Sequence, residues 1–164
     1  LERKRTLRVA VPAGIDEGHQ IRLSGEGEAG PRGGPAGNLY VVAHVASHPR
    51  LRREGTELYA PLEVSLAQAA LGASLVVPTA DGETTVEIKP GTQPGTEIRV
   101  RGQGVPHLRR AGARGDLHVL VEVKVTTHLT RRQRELLAEF ATESGEVVDH
   151  RGSGLLDKVK DRLG

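Results

Sequence analysis

The sequence contains no cysteine and no tryptophan, and it has only one phenylalanine and two tyrosines among 164 residues. Without cysteine the chain can form neither a disulfide framework nor a thiolate metal site, and it has no cysteine nucleophile. An absence of cysteine fits a reducing compartment, so we expect a cytoplasmic protein. No run approaches the roughly 18 apolar residues of a membrane-spanning helix, and no signal peptide opens the sequence. We therefore expect no membrane partner.

The shortage of aromatic residues also limits the kind of core that the chain can build. Apolar residues make up 37% of the sequence, so any core must consist mainly of valine, leucine, isoleucine and alanine. Two small cores fit this composition better than one large core. The 21 glycines and nine prolines are typical of many short strands joined by turns.

The sequence also has almost no excess of charge of one sign, because its 23 Lys and Arg are nearly balanced by 21 Asp and Glu, for a net charge of +2. The arginines do cluster, and the clustered positions are Arg50, Arg52, Arg53, Arg109, Arg110, Arg131, Arg132 and Arg134. A nucleic-acid-binding surface would interleave such clusters with aromatic side chains that stack on bases. Because those aromatics are nearly absent, we interpret the clusters as solvated surface and expect no nucleic-acid partner. A β-rich nucleic-acid-binding module that uses the arginine clusters is the alternative function.

The sequence repeats itself once, and this repeat is its strongest organising feature. Residues 9–27 recur at residues 86–104, seventy-seven positions later. The matched glycines are Gly14, Gly18, Gly25 and Gly27 in the first copy and Gly91, Gly95, Gly102 and Gly104 in the second. The match continues with one inserted residue, where residues 37–41 correspond to residues 115–119. Two copies are too few for a solenoid, so the repeat predicts two related β-subdomains in tandem.

Alternating apolar and polar residues predict short strands in both copies. The predicted strands cover residues 6–11, 19–23, 38–46, 56–64, 74–78, 84–89, 97–100 and 116–125. Asp81 and Gly82 predict a tight hairpin turn between two of them, and Pro61 predicts an edge strand or a bulge. A glycine-rich loop covers residues 25–37, and residues 47–55 are the candidate boundary between the subdomains.

Two capping boxes predict short helices. Ser65 with Gln68 begins the first helix, which Gly72 is placed to end. Thr130 with Gln133 begins the second helix. Its apolar stripe is Leu136, Leu137 and Phe140, and a further amphipathic stretch contains Leu155, Leu156, Val159 and Leu163. Helices this short are marginal alone, so these stripes must pack on a second copy of the chain or close the end of the second β-subdomain.

No constellation of residues predicts an active site. Residues 25–30 fit G-x-G-x-x-G, but no helix is predicted to follow, and Glu26 and Glu28 would repel a phosphate. His44 and His48 have a zinc-ligand spacing, yet they straddle the end of a predicted strand and no third ligand stands out. We therefore predict a non-enzymatic protein with no catalytic residue and no metal site. A hydrolase with an unrecognised site remains a further hypothesis.

Together these motifs resemble the C-terminal, client-binding half of the DnaJ (J-domain) co-chaperone family. The segments that carry the resemblance are residues 12–14, 25–28, 33–39, 48–49, 61–72, 77–82, 90–93, 101–106, 115–117 and 129–140. They follow one another in the family's order and cover essentially the whole sequence. The combination is specific to this family, although no single segment is.

The resemblance implies a mostly β fold of two tandem, β-sandwich-like subdomains, the first incomplete, with short helices and a C-terminal helical dimerisation segment. Residues 1–50 would be the C-terminal part of the first, client-binding subdomain. Residues 51–127 would form the second subdomain, and residues 128–164 the dimerisation segment. The family's J-domain, Gly/Phe linker and cysteine-rich zinc repeats have no counterpart in this sequence, so we expect no cofactor here.

The resemblance also implies a function and its residues. In the family, a shallow apolar groove holds hydrophobic segments of unfolded client proteins, which pass to a DnaK-type ATP-dependent chaperone. The expected client-binding residues are Leu51, where the family motif usually has phenylalanine, and, through the internal repeat, Leu62 and Val77. Ordinary core positions are the alternative for all three. The expected dimerisation residues of a homodimer are Leu129, Leu136, Leu137, Phe140, Leu155, Leu156 and Val159.

Overall fold

A computed structural model of the chain describes residues 5–149. The predicted amphipathic stretch with Leu155, Leu156 and Val159 lies outside these residues. The described fold is mostly β, as predicted, and its elements in chain order are β1 (Gln20–Leu23), β2 (Leu39–Val42), β3 (Arg52–Glu54), β4 (Glu57–Ser65), α1 (Leu66–Leu71), β5 (Ala73–Pro78), β6 (Glu83–Ile88), β7 (Glu97–Val100), β8 (Leu117–Lys124) and α2 (Arg131–Glu143). None of the helices within residues 5–149 is long and apolar enough to span a membrane.

The chain divides into two compact units, residues 1–125 and residues 126–164. Three sheets form among the described residues of the first unit. β1 pairs with β2, β5 pairs with β6, and the largest sheet has the strand order β3-β4-β8-β7. Its central strands, β4 and β8, run parallel from Leu58 beside Leu117 to Ser65 beside Lys124. The other strand pairs are antiparallel.

The hydrophobic core is shared by the four-stranded sheet and the β5–β6 hairpin. Alternate residues of β4 and β8 are buried in it, among them Val64, Val119 and Val121. The hairpin contributes Val77 and Ile88, each with 1% of its surface exposed. Every buried side chain of this cluster is aliphatic, as the scarcity of aromatic residues predicts.

The internal repeat is visible in the hydrogen bonding of the two copies. β1 and β7 occupy equivalent positions of the repeat, and each pairs with the strand that follows it in the same register. The amide of Gly27 donates to the carbonyl of Gly37 at 2.9 Å, and the amide of Gly104 donates to the carbonyl of Gly115 at 2.9 Å. The sequence repeat is therefore a structural repeat of a hairpin and its glycine-rich exit.

Two predicted strands differ from the structure. Residues 6–11 form no strand, although their repeat counterpart lies in β6. β6 is held by ladder hydrogen bonds to β5, whereas no described strand lies beside residues 6–11 to satisfy their peptide groups. The strand predicted over residues 38–46 is shorter, because regular pairing with β1 is limited to Leu39–Val42.

Pro61 lies inside β4 without interrupting a ladder. The amide of Leu58 donates to the carbonyl of Asp116 at 2.9 Å, so the alternation of the strand turns position 61 toward β3. β3 pairs only with residues 57–59 and has ended before Pro61. The missing N–H of proline therefore costs no ladder hydrogen bond, although β4 is a central strand of the sheet and not the predicted edge strand or bulge.

A polar network crosses the outer face of the four-stranded sheet. The ring of His118 on β8 lies between two carboxylates, with Nδ1 2.6 Å from Glu97 Oε1 on β7 and Nε2 2.9 Å from Glu57 Oε2 on β4. The ring also stacks on Tyr59, with centroids 4.8 Å apart. Hydrogen bonds to Glu97 and Glu57 raise the pKa of His118, and those from His118 and the Asp116 amide lower the pKa of Glu57. Only a protonated imidazole donates from both nitrogens, so His118 joins three strands as a cation.

We expect His118→Gln to flatten the pH dependence of stability near neutral pH. Because folding raises the pKa of His118, its stabilisation is complete below the unfolded pKa of about 6.5 and is lost as pH rises through the higher folded pKa. The free energy of unfolding from urea titrations should therefore fall as pH rises above about 6.5 in the parent protein. His107→Gln, in the loop at residues 103–113, is the control and should keep this slope. A flat profile in the parent protein would contradict the role of the network.

Gly104 lies where two backbone segments meet. A Cβ at this position would be 2.4 Å from the carbonyl carbon of Gly115 and 2.5 Å from the carbonyl oxygen of Thr56. Gly104→Ala should therefore lower the free energy of unfolding by about 1–3 kcal/mol, the usual cost of overpacking. Gly37→Ala is the matched control, because its Cβ would meet only the carbonyl oxygen of Glu28 at 3.8 Å. Equal losses of both variants in urea titrations would refute the close-contact argument.

Candidate functional site

The first copy of the repeat presents apolar side chains on both faces of its hairpin. Tyr40 and Val42, on one face, are 54% and 44% exposed. The side chains on the opposite face are half-buried, and they are Ile21, Leu23, Leu39 and Val41. We call these six residues the hairpin surface. A strand pair with apolar residues on both faces therefore leaves part of its apolar surface exposed to solvent.

The equivalent strands of the second copy close over their apolar face. Leu117 and Val119, the counterparts of Leu39 and Val41, have no exposed surface. They are covered because side chains of α1 and of the β5–β6 hairpin, together with those of the neighbouring strand β4, join the same cluster. Among the described residues, no strand takes the place of β4 beside β2. The apolar face of this hairpin is thus buried in the second copy and partly exposed in the first.

The three residues expected to bind clients occupy different surroundings. Leu51 immediately precedes β3, is half-buried and packs against the core of the second copy. Leu62 and Val77 are 8% and 1% exposed and belong to that core. Their side chains stabilise the sheet and have almost no exposed surface, so another polypeptide could contact them only if the sheet opened. Of the three, Leu51 alone has a partly exposed side chain.

Sequence reasoning missed Tyr40, Val42 and the nearby Val45, which is also 44% exposed. The signal was present in residues 39–42, where four apolar residues follow one another. Successive residues of a strand point to opposite faces, so an unbroken apolar run places apolar side chains on both. A strand that buries one face alternates instead.

The arginine cluster at the junction of the copies is partly structural. Arg52 lies over the ring of Tyr59, 5.2 Å from its centroid, and pairs with Glu54 at 2.9 Å. Arg53 is only 25% exposed and binds the carboxylate of Asp16 together with backbone carbonyls of the first copy. The interpretation as solvated surface is wrong for Arg53, because its guanidinium group is engaged within the fold.

His44 and His48 make separate hydrogen bonds to different partners. His44 Nδ1 lies 2.8 Å from Glu17 Oε1, and the amide of Val45 together with His44 lowers the pKa of Glu17. His48 Nδ1 accepts a hydrogen bond from the amide of Arg50 at 3.1 Å. Among residues 5–149, no group of three or more histidine, aspartate or glutamate side chains could hold a metal ion.

The glycine-rich loop lacks the geometry of a dinucleotide site. The residues after the G-x-G-x-x-G match form a 3-10 turn at Pro31–Gly33 where that site requires an α-helix. The loop is held closed by its own backbone, since the amide of Gly37 donates to the carbonyl of Glu28 at 2.9 Å. Its glycines therefore allow the backbone to turn back on itself.

The second unit presents a further apolar surface. α2 begins with the predicted capping box, in which Thr130 Oγ1 accepts from the Gln133 amide at 3.2 Å and Gln133 Oε1 accepts from the Thr130 amide at 2.9 Å. The expected dimerisation residues that are exposed on this helix are Leu136, Leu137 and Phe140. Leu129, just before the helix, is half-buried. The expected residues Leu155, Leu156 and Val159 lie beyond residue 149.

Comparison with known families gives two matches that together span most of the chain. Residues 1–126 match the DnaJ C terminal domain, and residues 132–163 match the Chaperone protein DnaJ C-terminal region. The chain is 47% identical over 161 residues to the Chaperone protein DnaJ of Syntrophotalea carbinolica, which covers 98% of this chain and 43% of that protein.

Two further curated relatives have the same name and similar coverage. The Chaperone protein DnaJ of Roseiflexus sp. (strain RS-1) is 48% identical over 162 residues, with 98% of this chain and 44% of that protein covered. The protein of that name from Bacillus velezensis is 43% identical over 158 residues, with 96% and 42% covered. This chain thus spans less than half the length of these relatives. By sequence it belongs to the DnaJ chaperone family, and it corresponds to that family's C-terminal domain and C-terminal region.

Proposed function

We propose that this chain is a co-chaperone module that binds hydrophobic segments of unfolded or misfolded proteins and passes them to a DnaK-type ATP-dependent chaperone. The observation that carries the proposal is the hairpin surface, where apolar side chains lie on both faces of β2 and on one face of β1. Membership of the DnaJ family supports it. The proposed role is binding without catalysis and uses no cofactor. No step involves zinc, because the sequence contains no cysteine to form the family's zinc repeats.

The hairpin surface suits an extended apolar segment. Burial of its side chains under a client would contribute about 25 cal/mol for each Å² of apolar area removed from water. Within the described residues β1 and β2 pair only with each other, so each has an edge whose N–H and C=O groups a client strand can pair with. Backbone pairing and apolar burial both tolerate many sequences, which suits a protein that must accept many unfolded clients.

Tyr40, Val42 and Leu51 are the residues that we assign to client contact. Tyr40 and Val42 are exposed on the outer face of β2. Leu51 keeps an apolar contact where the resembling family usually has phenylalanine, but with less area. Leu62 and Val77 would contribute only indirectly, by holding β4 and β5 in the core.

We also propose a homodimer that forms through the second unit. The exposed stripe Leu136, Leu137 and Phe140 on α2 is apolar surface that a second copy can cover. A thirteen-residue helix is marginally stable alone, so burial of this stripe would also stabilise α2. A dimer presents two hairpin surfaces, and a long unfolded client held by both dissociates more slowly than one held by either.

Val42→Asp should weaken suppression of aggregation of a chemically denatured client such as luciferase, because a charge on the hairpin surface must be desolvated on binding. Val76→Asp is the matched control, since Val76 is an exposed valine on β5 of the second copy, at 54% exposure. Light scattering should show several-fold less protection for Val42→Asp and parent-like protection for Val76→Asp. Leu51→Asp should also reduce protection. Full protection by Val42→Asp and Leu51→Asp, both shown to be folded by circular dichroism, would remove the assignment.

Phe140→Asp should convert the full chain from dimer to monomer in sedimentation velocity, because it places a charge in the centre of the apolar stripe. Thr142→Asp adds the same charge two residues further along α2, which at 3.6 residues per turn is about 200° around the helix axis and on the side opposite the stripe, and it should leave the dimer intact. The measurement is made at several protein concentrations, since association depends on mass action. A parent protein that sediments as a monomer throughout would refute the homodimer.

A further inference from the structure

The side chain of Arg53 connects the first copy of the repeat to the four-stranded sheet, which contains strands β7 and β8 of the second copy. Its Nη1 donates to the carbonyl of Ile15 at 2.7 Å and its Nη2 donates to the carbonyl of Gly14 at 2.9 Å. Nη2 also pairs with the carboxylate of Asp16, and Nε donates to the carbonyl of Gly55 at 2.8 Å. The acceptors on residues 14–16 belong to a turn of the first copy, whereas Arg53 lies on β3 of the second copy's sheet.

The contact is tight at the level of the backbone. Gly14 has φ +83°, and a Cβ placed there would lie 2.0 Å from the carbonyl oxygen of Pro106. Pro106 belongs to the loop at residues 103–113 of the second copy. The turn of the first copy is therefore held between this loop and the guanidinium group of Arg53.

The equivalent turn of the second copy is supported by different partners, since the amides of Gly91 and Thr92 donate to the carbonyl of Ala69 in α1 at 2.9 and 3.1 Å. Gly91, the counterpart of Gly14, has φ +79°, and a Cβ there would meet nothing within 4 Å. The counterpart of Asp16 is Gln93, which has no carboxylate and whose Nε2 donates to the carbonyl of Gly91 at 3.1 Å. The same turn thus forms without a guanidinium group, so its geometry does not require an arginine, and the contacts of Arg53 are a feature of the junction in which the first-copy turn lies.

The junction is fixed from its other side as well. Leu51, two residues before Arg53, packs against the core of the second copy. β3 is paired to β4 through Arg52 beside Tyr59 and Glu54 beside Glu57. Between β2 and Leu51, residues 43–50 form no helix or strand. Without the contacts of Arg53, this irregular segment would be the hinge between the hairpin surface and the rest of the first unit.

We propose that Arg53 is a positioning residue that locks the first copy against the second and so fixes the direction in which the hairpin surface is presented to a client. The part that concerns clients rests on the proposed function above. A lysine cannot replace Arg53, because a single ammonium group cannot reproduce the planar fork that reaches two carbonyls and a carboxylate together. A fixed surface also binds more tightly than a mobile one, since less freedom is lost when the client associates.

The lock can be measured directly because the chain has no cysteine of its own. Arg22 on β1 and Glu87 on β6 are both exposed, and Arg22→Cys with Glu87→Cys allows two spin labels to report the distance between the copies by pulsed electron resonance. The expected result is a narrow distance distribution in the full chain and a clearly broader one after Arg53→Lys. Asp16→Asn, which removes one partner and leaves the carbonyl contacts, should broaden it less.

Arg52→Lys is the matched control, since Arg52 is the adjacent arginine with a side chain 71% exposed, and it should keep the narrow distribution. Client affinity is measured in parallel with reduced, carboxymethylated α-lactalbumin, and we expect a several-fold loss for Arg53→Lys and none for Arg52→Lys. An unchanged distance distribution in folded Arg53→Lys and Asp16→Asn overturns the lock. A broadened distribution with unchanged affinity overturns its role in client presentation. A parent chain that binds no client refutes the proposed function, whereas the spin-label distance distributions still test whether Arg53 fixes the first copy in place.

Discussion

The parallel pairing of β4 with β8 is the contact on which the rest of the first unit depends. It sets two strands of alternating apolar residues side by side, so that both direct aliphatic side chains into one core. β3 and β7 attach to the outer edges of this pair, and α1 begins where β4 ends. Glu57 completes the start of the ladder by accepting the Asp116 amide at 2.9 Å. A core without aromatic residues needs this alignment, because each buried valine or leucine contributes only about 1.5–3 kcal/mol.

The same hairpin is buried in the second copy and partly exposed in the first, and the elements that pack beside it decide which. In the second copy β4 lies beside β8, and the apolar residues of the hairpin become core. In the first copy no described strand covers β2, and the equivalent residues form the hairpin surface. One backbone geometry, with the same glycine exit at Gly27 and Gly104, is thus compatible with packing and with binding. Arg53 links the two uses, since it lies on the sheet of the closed copy and holds a turn of the open one.

Features that depend on neighbouring residues could be predicted from the sequence, and those that depend on distant partners could not. The capping boxes at Ser65 and Thr130 form as predicted because each involves residues three positions apart. Alternation over residues 6–11 indicates which face a strand would bury, but not whether a partner strand lies beside it. Val77 was expected to bind clients, with ordinary core as the alternative, and it lies in the core because the β5–β6 hairpin shares one cluster with the sheet. Arg53 was missed because its acceptors on the first copy lie 37 to 39 positions away.

The long separation within the β4–β8 pair determines when this fold can be completed. Glu57 and the Asp116 amide, at the start of the ladder, are 59 residues apart. At a synthesis rate of about 5–20 residues per second, β4 leaves the ribosome roughly 3–12 s before its partner. During that interval the apolar face of β4 is exposed to water. Strand pairs so distant in sequence also form slowly once both strands are available. A nascent chain of this family is therefore, for several seconds, the kind of polypeptide that chaperones protect.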